Sequence, residues 1–467
     1  MKRTLSFCTL FILMAAALNA QNKYAIEDVS VIPMNREGLL EHQTVLIGNG
    51  KIEQVTAASK AKIPAGYKKI PGSGKYLIPG LIDMHAHFFN EQGNQVNTSE
   101  AELKMMLANG VTTARIMAGH PSYLEARKNV QGGTWAGPTL VVASPQLMGR
   151  QPPPGEFNNY EVVTTKEKAA AAVKKARQDG YDAIKITTEI NRECYDAIIA
   201  AAKTEGIKVV GHVGPKVKLP AALAAGQQVE HMDEFIDMLL PDTSYNHGES
   251  VSDVNVWRKR AWNTVPYLDE SKIPALAERV KRSGIYVTPT NFFFISFFGE
   301  GRTEAQIKEQ PGYNYIPSVI KEEYWKHRQQ YINLAFPKES REKYVRIRKQ
   351  MVNQLWKAGV PLMAGSDAPG FFLVTGFMLH DELAAFVGAG LTPWAALQTA
   401  TVHPARFLEI NKGTVEKGKT ADLLLLDKNP LEDIDNTRSV SGIFKDGKWY
   451  DHEARLRLLE EAKVLGN

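Results

Sequence analysis

Cysteine is nearly absent: Cys8 and Cys194 are the only two among 467 residues. A fold stapled by disulfides is therefore excluded, and stability has to come from a buried core, for which the length is ample. Charge of one sign is equally scarce. The formal net charge is +5; Lys2 and Arg3 account for two of these, and the remaining +3 is scattered along the chain. That is too little for a nucleic-acid-binding surface or an anionic membrane surface. Low-complexity tracts and solenoid-length repeats are missing too, which sets aside disordered and repeat architectures. Long apolar runs are few. Lys2 and Arg3, the apolar stretch Leu5 to Leu18, and Leu18-Asn19-Ala20 read as an export signal over residues 1–20. The stretch is short for a spanning helix, although an uncleaved anchor is the competing reading. The expectation is a secreted or periplasmic protein, free of the membrane after cleavage, with Cys194 as its remaining thiol.

Beyond residue 20, both ends of the chain are β-like. Ile26, Val29 and Val31, then Thr44 to Ile47, then Ile52 and Val55 form short runs broken by Gly48-Asn49-Gly50, a hairpin signal. Near the other end Asp422 to Asp427 and Val440 to Phe444 look alike, so residues 21–79 and 403–467 are expected to build one small β-sandwich. Between them, over 80–402, eight apolar segments alternate with helix-length stretches: Leu81–Met84, Thr112–Met117, Thr139–Ala143, Ala183–Thr187, Lys208–Val213, Gln228–His231, Ile285–Pro289 and Val360–Ala364. That pattern predicts an α/β fold, a (β/α)8 TIM barrel. A doubly wound sheet would carry a glycine-rich turn after its first strand; His85-Ala86-His87 stands there instead. An aromatic-rich insertion around 239–356, including Asn291 to Phe298, reads as a substrate cover, an oligomer contact or ordinary core.

In an extended chain residues i and i+2 share a side, so His85 and His87 can present two imidazoles to one cation. Lys185 alternates with Ile184 and Ile186. It either reaches solvent at the strand end or lies inside, where a neutral amine reacts with carbon dioxide to give a two-oxygen anionic ligand. His212, His231 and Asp367 each close a short apolar run. Alone, each is an ordinary structural residue; together the six end the first, fourth, fifth, sixth and eighth expected strands, the face where barrel active sites lie.

Pro79-Gly80-Leu81-Ile82-Asp83-Met84-His85-Ala86-His87, Gly110-Val111-Thr112-Thr113, His380-Asp381-Glu382-Leu383 and Gly418-Lys419-Thr420-Ala421-Asp422 resemble the amidohydrolase superfamily over nearly the whole chain. The nearest branch is that of imidazolonepropionase-like enzymes and Xaa-Pro dipeptidases. The resemblance implies two divalent cations, usually zinc, bridged by a carbamate on Lys185. His85 and His87 would hold the first cation, His212 and His231 the second, and Asp367 would be both ligand and general base. The chain departs from the family at Ala114-Arg115-Ile116 and in the loop Pro145 to Arg150.

The expected activity is hydrolysis of an amide or peptide C–N bond in a small peptide, N-acyl amino acid or cyclic amide, with Asp367 and His231 catalytic. Deamination or lactone hydrolysis on the same centre is the alternative, and an exported binding protein without turnover is the rival from another class. Arg115, His120, Arg150, Arg192, Tyr245, His247, Asn291 and His380 follow strands or lie in the insertion, where they could grip a small-molecule or dipeptide substrate. The resemblance also implies a homo-oligomer.

Overall fold

The computed structural model describes residues 23–89, 99–152, 159–241, 264–298, 302–332 and 337–465. The export signal expected over 1–20 lies outside them, as do Tyr245 and His247. The first strands are β1 (Tyr24–Val31), β2 (Leu40–Gly48), β3 (Lys51–Ala57), β4 (Lys68–Pro71) and β5 (Tyr76–Pro79). Asn49 and Gly50 both take left-handed φ, +53° and +70°, as a two-residue hairpin between β2 and β3 requires.

The middle of the chain forms β6 (Leu81–Ala86), β7 (Val111–Ile116), β8 (Thr139–Val142), β9 (Gln146–Met148), β10 (Tyr160–Val162), β11 (Ala183–Ile186), β12 (Lys208–Gly211), β13 (Gln228–Glu230) and β14 (Val287–Thr288). All their ladders are parallel, in a three-stranded sheet β6-β7-β8 and a six-stranded sheet β10-β9-β11-β12-β13-β14. Seven of the eight expected segments are strands. The eighth, Val360–Ala364, is not; it pairs only singly, Leu362 with Val287, and Ala368 beyond it pairs with Ala86. The cause is local crowding. A Cβ on Gly365 would lie 2.6 Å from His85 Cβ and from Thr288, so the backbone there is pressed against its neighbours, and Asp367 leaves in the left-handed region at φ +54°. Strands β9 and β10 are additional to the expected set. Leu147 and Met148 are buried and bring the loop Pro145 to Arg150 onto β11.

The chain then returns to its start with β15 (Leu423–Leu426), β16 (Val440–Lys445) and β17 (Lys448–Tyr450). Both chain ends meet: their described strands pair in one continuous order, β17-β16-β15-β5-β1-β2-β3 with β4 beside β1. The inner face of this sheet supplies its own core from Ile26, Val45, Leu77, Leu425 and Phe444. The all-leucine β15 follows from its position: Leu423 and Leu425 enter that core, while Leu424 and Leu426 enter the larger core shared with the parallel strands. Each such side chain contributes roughly 1.5–3 kcal/mol by leaving water. Among the described residues no helix is long and apolar enough to cross a membrane.

Candidate metal centre

Alternation along β6 sends Asp83, His85 and His87 to one side. Asp83 is buried and ties β6 to the segment carrying Asp367: it accepts from Ser366 N at 3.0 Å, Ser366 Oγ at 2.6 Å and His85 N at 3.1 Å. Burial nevertheless pushes its carboxyl up to about 6, against those hydrogen bonds. His85 Nδ1 donates to Glu230 Oε2 at 2.6 Å, which leaves Nε2 as a lone-pair donor facing the centre.

On that side His85 Nε2 and His87 Nε2 stand 3.2 Å apart, and Asp367 Oδ1 is 3.4 Å from the first and 3.3 Å from the second. Asp367 Oδ2 lies 3.6 Å from His231 Nδ1, which is held by Thr290 Oγ1 at 2.8 Å. The His231 ring stacks on His212 with centroids 4.4 Å apart and sits 4.5 Å from His85. Lys185 is only 1% exposed, and its charge acts on His85, Glu230 and His231. The six residues picked out by strand ends are thus neighbours in space. His231, Thr290 and Asp367 all take left-handed φ, +65°, +44° and +54°, a costly backbone state in non-glycine residues.

The donor chemistry suits a divalent cation. One ligand atom from each of His85, His231 and Asp367 lies within 4.8 Å of the others. Burial first, and then neighbouring positive charge, holds both imidazoles far below the usual histidine range, so they are neutral, the form that binds metal.

A buried scaffold surrounds these donors. Arg115, expected at the substrate, is wholly buried instead. It donates to Glu230 Oε1 at 2.6 Å, Gln228 Oε1 at 2.7 Å and Met84 O at 2.7 Å, and so steers His85 through Glu230. Arg348, also fully buried, donates to Asn291 Oδ1 and to the carbonyls of His231 and Pro289. Asn291 therefore belongs to this scaffold. His380 is buried between Thr437 Oγ1 and Asn109 O, and His120 accepts from Ser122 N as the cap of helix Pro121–Gln131. Arg150 pairs with Glu189 and Arg192 with exposed Asp196. Sequence reasoning passes over Asp83, Glu230, Thr290, Ser366 and Arg348. Asp83 alone carries a signal, at two residues from His85.

Residues 76–450 match the amidohydrolase family. An imidazolonepropionase from Idiomarina loihiensis is 42% identical over 65 residues, 13% of this chain and only 16% of that relative's length. An ochratoxinase from Aspergillus niger is 24% identical over 454 residues, covering 84% of this chain and 80% of the other. Among solved structures, a Xaa-Pro dipeptidase with methionine in its active site shares the fold with a TM-score of 0.64 at 21% identity, over 92% of this chain and 100% of that one. The family match opens at the first residue of β5, closes at the last of β17 and encloses every donor of the centre; the chain belongs to the amidohydrolase family.

Proposed function

We propose that this enzyme is metal-dependent and cleaves an amide or peptide C–N bond in a small peptide, N-acyl amino acid or cyclic amide. The observation that carries the reading is the meeting of His85, His87, His231 and Asp367, drawn from segments far apart in sequence, around one buried point. His85, His87, His212, His231, Asp367 and a carboxylated Lys185 would hold two divalent cations, zinc by the resemblance. Bound there, such cations supply Lewis acidity toward a carbonyl and acidify water. Asp367 takes a proton from the attacking water at a carboxylate oxygen and returns it to the leaving nitrogen, so the amine departs neutral. His231, held by Thr290, is assigned the further role of helping to stabilise the tetrahedral oxyanion. Lys185 Nζ, once deprotonated to the neutral amine, would add to carbon dioxide and lose a second proton, so that a buried cation becomes an anionic ligand.

We read the two parallel sheets as one (β/α)8 barrel over 80–402, with the terminal sheet as the small domain from 21–79 and 403–467. The single pairings of Ala143 with Ala183, Val287 with Leu362 and Ala86 with Ala368 support closure. Export is inferred from residues 1–20 alone.

The test is a turnover screen of zinc-loaded protein on dipeptides, N-acyl amino acids and cyclic amides, repeated after chelation. Activity is expected to vanish with chelator, to return with zinc or manganese, and to be abolished in Asp367→Asn while most metal stays bound. Full activity in that variant would remove Asp367 from the chemistry. Lys185→Ala is expected to lose metal and to regain part of its activity with added short carboxylic acids; unchanged metal content argues against the carbamate bridge.

A further inference from the structure

The aromatic helix Asn291–Phe298 starts one residue after Thr290, whose hydroxyl holds His231. Its Phe294 is buried 5.7 Å from the His231 ring and 4.1 Å from the Arg348 guanidinium. The helix is therefore fixed to the centre. Phe293, the residue before it, is half-buried and packs on the cluster of Ala368, Leu373 and Met378, the first two on the loop that leaves Asp367. There it meets Phe371 at 6.1 Å between centroids. Phe371 is also half-buried, four residues beyond Asp367, and takes φ +48°; Phe372 is next at +69° and is buried against Trp325 and Tyr324. Two consecutive bulky residues in the left-handed region are unusual. They bury one ring and set the other against Phe293 and against Tyr324, on which it stacks at 6.3 Å between centroids.

We propose that Phe293 and Phe371 form an apolar wall beside the centre, selecting substrates with an aromatic or bulky apolar group adjoining the scissile C–N bond. The proposal rests on the amide-hydrolase reading and narrows it. Each ring belongs to a segment that also carries a group of the centre, Thr290 in one case and Asp367 in the other, so the wall and the reacting groups are held in register.

The zinc-loaded full chain is assayed on pairs differing by one phenyl group, N-acetylphenylalanine against N-acetylalanine and Phe-Ala against Ala-Ala. In at least one pair kcat/KM is expected to be about 10-fold or more higher for the phenyl member. Phe293→Leu and Phe371→Ala are expected to pull that ratio toward one, mainly through KM. Calorimetric binding of phenylalanine against alanine reads the wall without turnover, with phenylalanine expected to bind about 10-fold tighter, and less so in the variants. Equal rates within both pairs, equal binding, or a preference untouched by both substitutions overturns the wall. If phenylalanine is preferred in binding yet no amide is turned over, the wall stands and the hydrolase substrate class falls.

Discussion

Glu230 commits both carboxylate oxygens, Oε1 to Arg115 and Oε2 to His85, with burial raising its pKa and Arg115 opposing that rise. A ligand histidine whose far nitrogen is held by a carboxylate is fixed in tautomer and ring angle. Glu230→Gln is expected to weaken metal binding about 10–100-fold, read by competition with a chromophoric chelator. Wild-type affinity would mean that His85 needs no such partner. Strand alternation explains why His85 and His87 are legible in the sequence and Glu230 is not. Period-two reasoning sends Glu230 and His231 to opposite faces, but the left-handed φ of +65° at His231 breaks the period and lets both reach the centre. The sequence marks Arg115 for the wrong duty, because a polar residue on a strand does not announce whether it faces ligand or scaffold.

At the scale of elements, helix Met378–Gly388 shows the same ambiguity. Its sequence pattern suggests a histidine at the substrate, whereas His380 joins this helix to Thr437 on one side and Asn109 on the other. Burial lowers its pKa to about 3. The unfolded chain protonates this histidine near its ordinary value of about 6.5, so between there and about 3 the unfolded state binds more protons. Its contribution to stability is complete above about 6.5 and falls as pH drops through that window. His380→Gln is expected to be less stable at pH 7 but to lose less stability on going to pH 5, by urea denaturation at both values. Parallel losses in variant and parent would show that other groups set the acid sensitivity. The stop of helix Lys166–Asp179 at Gly180, which takes φ +92°, and the Asn49-Gly50 hairpin are legible because backbone geometry narrows residue choice there. The eighth segment is not, since its irregularity comes from contact with His85 and Thr288, partners distant in sequence.

Over the whole molecule, Asp422 joins the terminal sheet to the parallel strands. Lys412 Nζ is 2.6 Å from Asp422 Oδ2 and also donates to Thr139 Oγ1 at 2.9 Å on β8, while Asp446 N donates to Asp422 Oδ1. Asp422 is buried and Lys412 nearly so, so removing one charge strands the other. Asp422→Asn is expected to cost about 3–5 kcal/mol in denaturant unfolding with metal affinity unchanged. A loss below about 1 kcal/mol would class the pair with solvent-screened surface bridges. That both termini are β-like can be read from the sequence; that they share one sheet cannot, because periodicity reports which side of a strand is apolar and not which strand lies next to it.

The seating of β15 between β5 and β16 has a bearing on biogenesis. During synthesis from the first residue onward, the outer edge of β5 waits for a neighbour until position 426 has been made, and the leucines of both cores wait with it. The terminal sheet therefore cannot close until position 426 has been synthesised, and shorter nascent chains carry an unpaired strand edge.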